Sequence, residues 1–237
     1  MDFIGKFKKL WNALFIKGSG DGYMRVLTGL RNTVIIAVCG LLIGIVIGTL
    51  IAVVRVVPKT NRALRALDKL CTLYVAFFRG TPMVVQLLLG YFVLLPLMGV
   101  KLSSLMVCVL IFGLNSGAYV SEIMRSGLLS VDVGQTEAGR ALGLSFSQTM
   151  TRIVVPQAVK NILPTLGNEF ITLIKETSIV SFVGAVDLYS AFNYIGSANY
   201  EYMLPYLAMA VIYIIMVLGI SGLIKLMERR LRKGDKR

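Results

Sequence analysis

The sequence predicts an all-α membrane protein: five transmembrane helices, a short cytoplasmic helix between the third and fourth, the N-terminus outside and the C-terminus cytoplasmic. Three observations predict it. Of 237 residues, 56% are hydrophobic and only 16% are charged, and the mean hydropathy is +0.76, too apolar for a water-soluble domain. The apolar residues gather in runs; at ~20 residues per crossing the length holds about five spans and leaves no separate soluble enzyme domain. The net charge of +13 comes from Lys and Arg at the ends of those runs, where cytoplasmic loops collect them, and does not mark a nucleic-acid surface. The chain has no histidine, which removes the commonest general base and metal ligand. Cys39, Cys71 and Cys108 have neither disulfide nor metal spacing. No metal site and no cofactor are expected in this chain.

Residues 1–20 form an amphipathic interfacial helix and a hinge. Phe3, Ile4, Phe7, Leu10, Trp11, Leu14 and Phe15 share a face opposite Lys6, Lys8, Lys9 and Asn12, a pattern suited to lipid headgroups and lacking a small-residue cleavage site. The hinge runs from Gly18 through Gly20 to Gly22. A transmembrane domain follows over 21–226, with spans at about 33–57, 81–100, 102–126, 155–175 and 203–226.

The first span is uncharged from Thr33 to Val54, and Gly40, Gly44 and Gly48 make a smooth stripe for close helix approach. That stripe suits tight packing or a dimer seam. Arg55, Lys59, Arg62, Arg65 and Lys69 then mark a basic linker whose Leu64, Leu67, Leu70 and Leu73 recur at helical spacing, as in a membrane-surface helix. The second span opens at Arg79-Gly80-Thr81-Pro82, with Thr81 as cap and Pro82 in the first turn. A turn at Gly99-Val100-Lys101 leads to span three. Span four carries Pro156, Lys160, Pro164 and Glu169 and is the least hydrophobic. Span five ends in a basic tail, 227–237.

The basic linker, the segment after span three and the tail fall on one side only with an odd number of spans and an outer N-terminus. Lys6, Lys8, Lys9 and Lys17 oppose that orientation. Residues 178–199, rich in Ser, Tyr and Gly, are too interrupted to span and suit an outer gate or a docking surface. Tyr189, Tyr194, Tyr200 and Tyr202 suit an interface belt.

The loop between spans three and four, 132–153, is polar and glycine-marked. After a turn at Asp132–Gly134 a helix starts at Gln135 with Glu137 in its first turn, where the dipole favours an acid. Gly143 and Ser145 end it, and Ser145 caps a second helix from Phe146. Gly139 and Gly143 leave a surface without side chains onto which a partner's groove can close, with Glu137 and Arg140 at its edge. By pattern alone the segment is equally an ordinary amphipathic loop.

Four segments carry a resemblance: FFRGTP (Phe77–Pro82), NSGAYVSEIMRSG (Asn115–Gly127), GQTEAGRALGLS (Gly134–Ser145) and Ile153–Ser181. Together they resemble the permease subunit of a polar-amino-acid ABC importer of type I fold, whose EAA loop docks a cytoplasmic ATPase. Gly139 replaces the family's usual second alanine, and Val155 a leucine. The resemblance implies ATPase coupling through Glu137, Ala138, Gly139, Arg140 and Gly143. It also implies a cytoplasmic ABC ATPase dimer that binds ATP and Mg, a second permease subunit of the same or a related kind, and an extracytoplasmic solute-binding protein. Membrane lipid and a polar amino acid complete the partners, in a bacterial cytoplasmic membrane. No GxxxxGK[ST] phosphate loop occurs in this chain, so ATP hydrolysis falls to the partner and the chain is not an enzyme.

Polar groups inside spans mark candidate pathway positions. Thr165, Asn168, Glu169, Thr172 and Glu176 make one polar stripe on span four; Asn115 on span three and Gln86 on span two join it, though these two also suit hydrogen bonds between helices. The site set is Asn168, Glu169, Thr172, Asn115 and Gln86, with Glu169 leaning toward cargo that carries positive charge or amide donors. Glu122, three residues from Arg125, suits an ion pair. An ion-gradient-driven secondary transporter usually shows two related halves, and no internal repeat is present. An intramembrane enzyme lacks a base to activate Ser or Cys, and a channel component has no use for the coupling loop.

Overall fold

A computed structural model describes residues 3–15 and 22–232, in which every regular element is helical. In order they are α1 (Phe3–Phe15), α2 (Gly22–Val56), α3 (Arg62–Gly80), α4 (Met83–Leu89), α5 (Leu95–Leu97), α6 (Ser104–Leu129), α7 (Val133–Ala141), α8 (Phe146–Thr149), α9 (Val155–Glu176), α10 (Leu188–Asn199) and α11 (Met203–Arg232). A π turn, Gly90–Leu94, joins α4 to α5; another, Met150–Val154, joins α8 to α9; a 3₁₀ turn, Thr177–Val183, follows α9. Residues 18–21 of the expected hinge lie outside the described residues, and Gly22 belongs to α2.

α2 begins well before the expected span start at residue 33. Its 35 residues extend ~52 Å at 1.5 Å each. The added turns are held by the loop before α10: the Asn32 amide donates to the Val186 carbonyl at 2.8 Å and the Leu188 amide to the Thr33 hydroxyl at 3.3 Å. No pattern within residues 22–32 announces partners so distant in sequence.

The glycine stripe packs α2 against α6 in the same chain. Gly40 faces Phe112, Gly44 faces Ser116 and Gly48 faces Val120, while Gly113 and Gly117 on α6 receive Ile43 and Ile47. A Cβ on Gly44 would sit 2.6 Å from the Ser116 hydroxyl, so only glycine permits the approach. Because both numbers rise together, α2 and α6 are parallel. Gly127 meets Ile162 and Ser116 meets Glu169, making α9 antiparallel to α6. Gly167 meets Ile224, while Tyr213, Met216 and Ile220 pack on the cluster that holds Leu173 and Ile174, so α11 runs antiparallel to α9. The core between these helices is built on Ile36, Leu87, Phe112, Leu173, Ile174 and Val180.

Among the described residues three helices, α2, α6 and α11, are long and apolar enough to cross a membrane, or up to four crossings if α3 and the α4–α5 segment form one bent span. That pair bends by 108°. The expected second span, 81–100, is therefore a shorter helical segment, Met83–Leu97, interrupted by a π turn and set steeply against α3. Thr81 does not cap it. Its hydroxyl donates back to the Phe77 carbonyl at 2.8 Å, closing α3, and Pro82 takes the cap position. Ser103 caps α6 instead of the helix starting at Leu102.

The segment 178–199 is more ordered than expected. Asp187 caps α10 by accepting the amides of Tyr189 (3.0 Å) and Ser190 (2.9 Å); burial pushes its carboxyl up from its ordinary value, and those amides oppose the shift. α10 buries Leu188, Phe192 and Ile195, and α1 lays Leu10, Ala13 and Leu14 on the same cluster. Lys6 pairs with Glu201 at 2.9 Å, which accommodates one of the lysines that opposed an outer N-terminus.

The hydrogen bond from Lys6 holds the Glu201 carboxyl below its ordinary range. A depressed carboxylate stabilises the docked state above its unperturbed pKa and loses that contribution as pH falls through the depressed value. Acidification through that window should loosen α1. Trp11, the single tryptophan, reports the change by fluorescence, and Glu201→Gln should remove the pH step; an unchanged step would assign it elsewhere.

Candidate functional site

The loop between α6 and α9 folds into two short helices. Asp132 caps α7 by accepting the Gly134 amide at 2.7 Å, so the helix starts at Val133 and Glu137 lies beyond its first turn, contrary to the sequence expectation. Gly143 ends it with φ of +77°, a left-handed conformation that glycine adopts without a Cβ penalty. The Gly143 amide then reaches the Arg140 carbonyl (2.9 Å) and the Leu144 amide the Gly139 carbonyl (3.1 Å). Ser145 and Gln148 form a reciprocal capping box on α8, as Ser145's position predicts.

Gly139 departs from expectation. It is buried, and a Cβ there would stand 2.8 Å from the Thr149 methyl and 3.1 Å from Ile153. Its bare surface is filled by α8 and the following π turn, not left for a partner. Gly143 has nothing within 4 Å of a Cβ position. The exposed residues of the loop are instead Glu137, Ala138 and Arg140 together with Val133, Leu142 and Phe146, of which Leu142 is 79% exposed. Sequence reasoning missed these three apolar residues, although apolar side chains in a polar segment were the available signal.

The expected polar stripe of α9 divides between two faces. Glu169 is buried and accepts the Ser116 hydroxyl at 3.0 Å. Thr165 and Asn168 are exposed and Thr172 half-buried on another face, with the Thr172 hydroxyl donating to the Asn168 carbonyl at 3.1 Å. Adjacent helical positions diverge by 100°, so a stripe that counts Asn168 and Glu169 as equivalent must split. Gln86 and Asn115 are buried together. The Asn115 amide donates to the Gln86 carbonyl oxygen at 2.8 Å, and the Gln86 amide donates to Phe78 (2.8 Å) and Thr81 (3.0 Å). They tie the α3–α4 bend to α6 and do not stand beside Asn168.

Glu122 gathers three guanidiniums. It pairs with Arg55 at the end of α2, with Arg125 at 2.9 Å, and lies 3.8 Å from Arg79 at the end of α3. The Glu122–Arg125 pair was legible from spacing. Arg55 and Arg79, distant in sequence, were not.

A bundle of parallel and antiparallel apolar helices, with a structured polar loop connecting two of them, defines a polytopic membrane protein. The chain belongs to the family of the binding-protein-dependent transport system inner membrane component, whose model matches residues 40–233. It is 37% identical over 210 residues to the arginine transport system permease protein ArtQ of Bacillus subtilis (strain 168), covering 89% of this chain and 94% of that protein. A Rickettsia bellii (strain RML369-C) protein whose name assigns it to a glutamine transport system permease, GlnP, is 40% identical over 206 residues, 87% of this chain and 92% of its own length. Among solved structures, one described as an amino acid ABC transporter with histidines superposes with a TM-score of 0.82 at 36% identity, covering 97% of this chain and 99% of that one. The MetNI methionine ABC transporter, at 18% identity and a TM-score of 0.70, shares the fold. The chain is thus a multi-pass inner-membrane component of a transport system.

Proposed function

We propose that this chain is the permease subunit of an ATP-driven importer that carries polar amino acids across the cytoplasmic membrane. The observation that carries the reading is the projecting α7–α8 loop, with its charged edge and exposed Val133, Leu142 and Phe146, on a chain 36% identical to an amino acid ABC transporter. A separate ATPase dimer docks on that loop through Glu137, Ala138, Arg140 and the turn at Gly143, with Gly139 holding α7 against α8 from within. ATP and Mg belong to that partner. A solute-binding protein delivers cargo outside, and a second permease, a copy or a relative, completes the pathway.

Five crossings follow if α3–α5 count as one bent passage and α9 as another. α2, α6 and α11 then run outside to inside, which places the loop, Arg55 and the basic end of α11 in the cytoplasm and α1 and α10 outside. The row of exposed Thr165 and Asn168 with half-buried Thr172 lines the pathway, with Glu169 braced behind it on Ser116. Gln86 and Asn115 hold the bend that shapes it.

The test is reconstitution with the cognate ATPase and binding protein. Uptake should require ATP, and this chain alone should accumulate nothing; accumulation without the ATPase would end the reading. In the same system Asn168→Ala should lower cargo-stimulated ATP hydrolysis about tenfold, the equivalent of ~1.4 kcal/mol for one lost hydrogen bond. Unaltered stimulation would remove Asn168 from the pathway.

A further inference from the structure

α1 lies outside the residues matched by the family, 40–233, so membership of that family assigns it no role. Its side chains occupy three faces. Lys6, Leu10, Ala13 and Leu14 turn inward, where Ala13 is 4% exposed, the leucines pack on the α10 cluster and Lys6 holds Glu201. Next around the helix come Ile4, Phe7, Trp11 and Phe15, all more than half exposed. The rings of Phe7, Trp11 and Phe15 form a ladder, with centroids 6.4 Å apart for Phe7–Trp11 and 4.6 Å for Trp11–Phe15. Lys8 and Lys9 are exposed beyond that row. The sequence alone assigns the whole apolar arc to lipid; the structure divides it between protein and surroundings.

We propose that α1 is a lipid-reading strap. Its aromatic row enters the bilayer interface, Lys8 and Lys9 gather anionic phosphate headgroups, and its inward row clamps the α10–α11 corner. The chemistry of the row commits the occupant. Tryptophan and phenylalanine beside lysine suit the headgroup boundary, where an apolar body and a cationic neighbour are both satisfied. α1 has three lysines and no acid, which complements an anionic lipid surface. At the same end of the bundle α2 exposes Tyr23, Met24 and Leu27, continuing the apolar surface. The order of faces is that of a helix lying flat against the flank of a bundle: protein on one side, hydrocarbon below, water and headgroups above.

Trp11 is the single tryptophan, so its emission reads α1 in the intact chain. The full chain is placed in vesicles of phosphatidylcholine and phosphatidylglycerol, with acyl-chain bromine on one lipid or the other, and compared with aqueous iodide as quencher. Bromolipid should quench Trp11 while iodide does not. Brominated phosphatidylglycerol should quench more strongly than brominated phosphatidylcholine in the same mixture. That preference should fall by about fivefold for each lysine removed, the equivalent of ~1 kcal/mol, and vanish in the Lys8→Gln, Lys9→Gln chain. Iodide quenching without bromolipid quenching overturns the proposal, as does shielding from both that grows with protein concentration, which would place a second copy on the row. Equal quenching by both bromolipids overturns the headgroup site. None of these readouts requires transport, so failure of the importer reading leaves this test intact.

Discussion

Glu122→Gln should destabilise the folded chain by ~3 kcal/mol, near the lower end for breaking a buried ion pair because the site is only partly buried. The side chains of Glu122 and Arg55 retain 18% and 19% of their exposure, and Arg125 and Arg79 stand on the same carboxylate. Removing its charge leaves three guanidiniums from three helices facing one another, Arg55 the least exposed of them. Arg79→Gln should cost under ~1 kcal/mol, because Arg79 is 45% exposed and 3.8 Å away. Arg55→Gln added to Glu122→Gln should recover part of the loss, since it removes repulsion. Thermal unfolding of the purified chain in one detergent checks all three. Equal stability of wild type and Glu122→Gln would show that the node contributes nothing.

Gly143→Trp should abolish ATP-driven uptake while leaving membrane insertion intact. The space exists, since nothing lies within 4 Å of a Cβ there. The left-handed φ of +77° costs an L residue ~1–2 kcal/mol, too little to unfold the membrane bundle. The indole would stand at the turn, beside Leu142, on the face assigned to the ATPase. Gly143→Ala carries the same backbone strain without the bulk and should retain most uptake. Loss of uptake in both variants would point to turn geometry; wild-type uptake by the tryptophan variant would show that no partner closes on this surface.

Much of the architecture was legible from sequence because its signals are local. The apolar runs, the helix end at Gly143, the Ser145 cap and the Glu122–Arg125 spacing each depend on residues within one or two turns. The candidate site was only half legible. Asn168 and Glu169 look interchangeable in a polar run, and only the position of Ser116, 53 residues away, decides that Glu169 faces inward. Gly139 looked like a surface glycine because Thr149 and Ile153 reach it only once α8 has folded back. Thr81 had the composition of a cap, but the 108° bend gave its hydroxyl to the helix behind it.

By itself, then, the sequence determined that the chain is helical, lives in a bilayer, and carries one structured polar loop between its spans. Hydropathy and capping are properties of short segments and survive without tertiary context. Tertiary structure decided which apolar stripes face protein and which face lipid: that Gly40, Gly44 and Gly48 serve α6, and that α1 shares its apolar arc between α10 and the exterior. Lipid tails and helix interiors are equally apolar, so no hydrophobic pattern can distinguish them; only the shape of the neighbouring helix does.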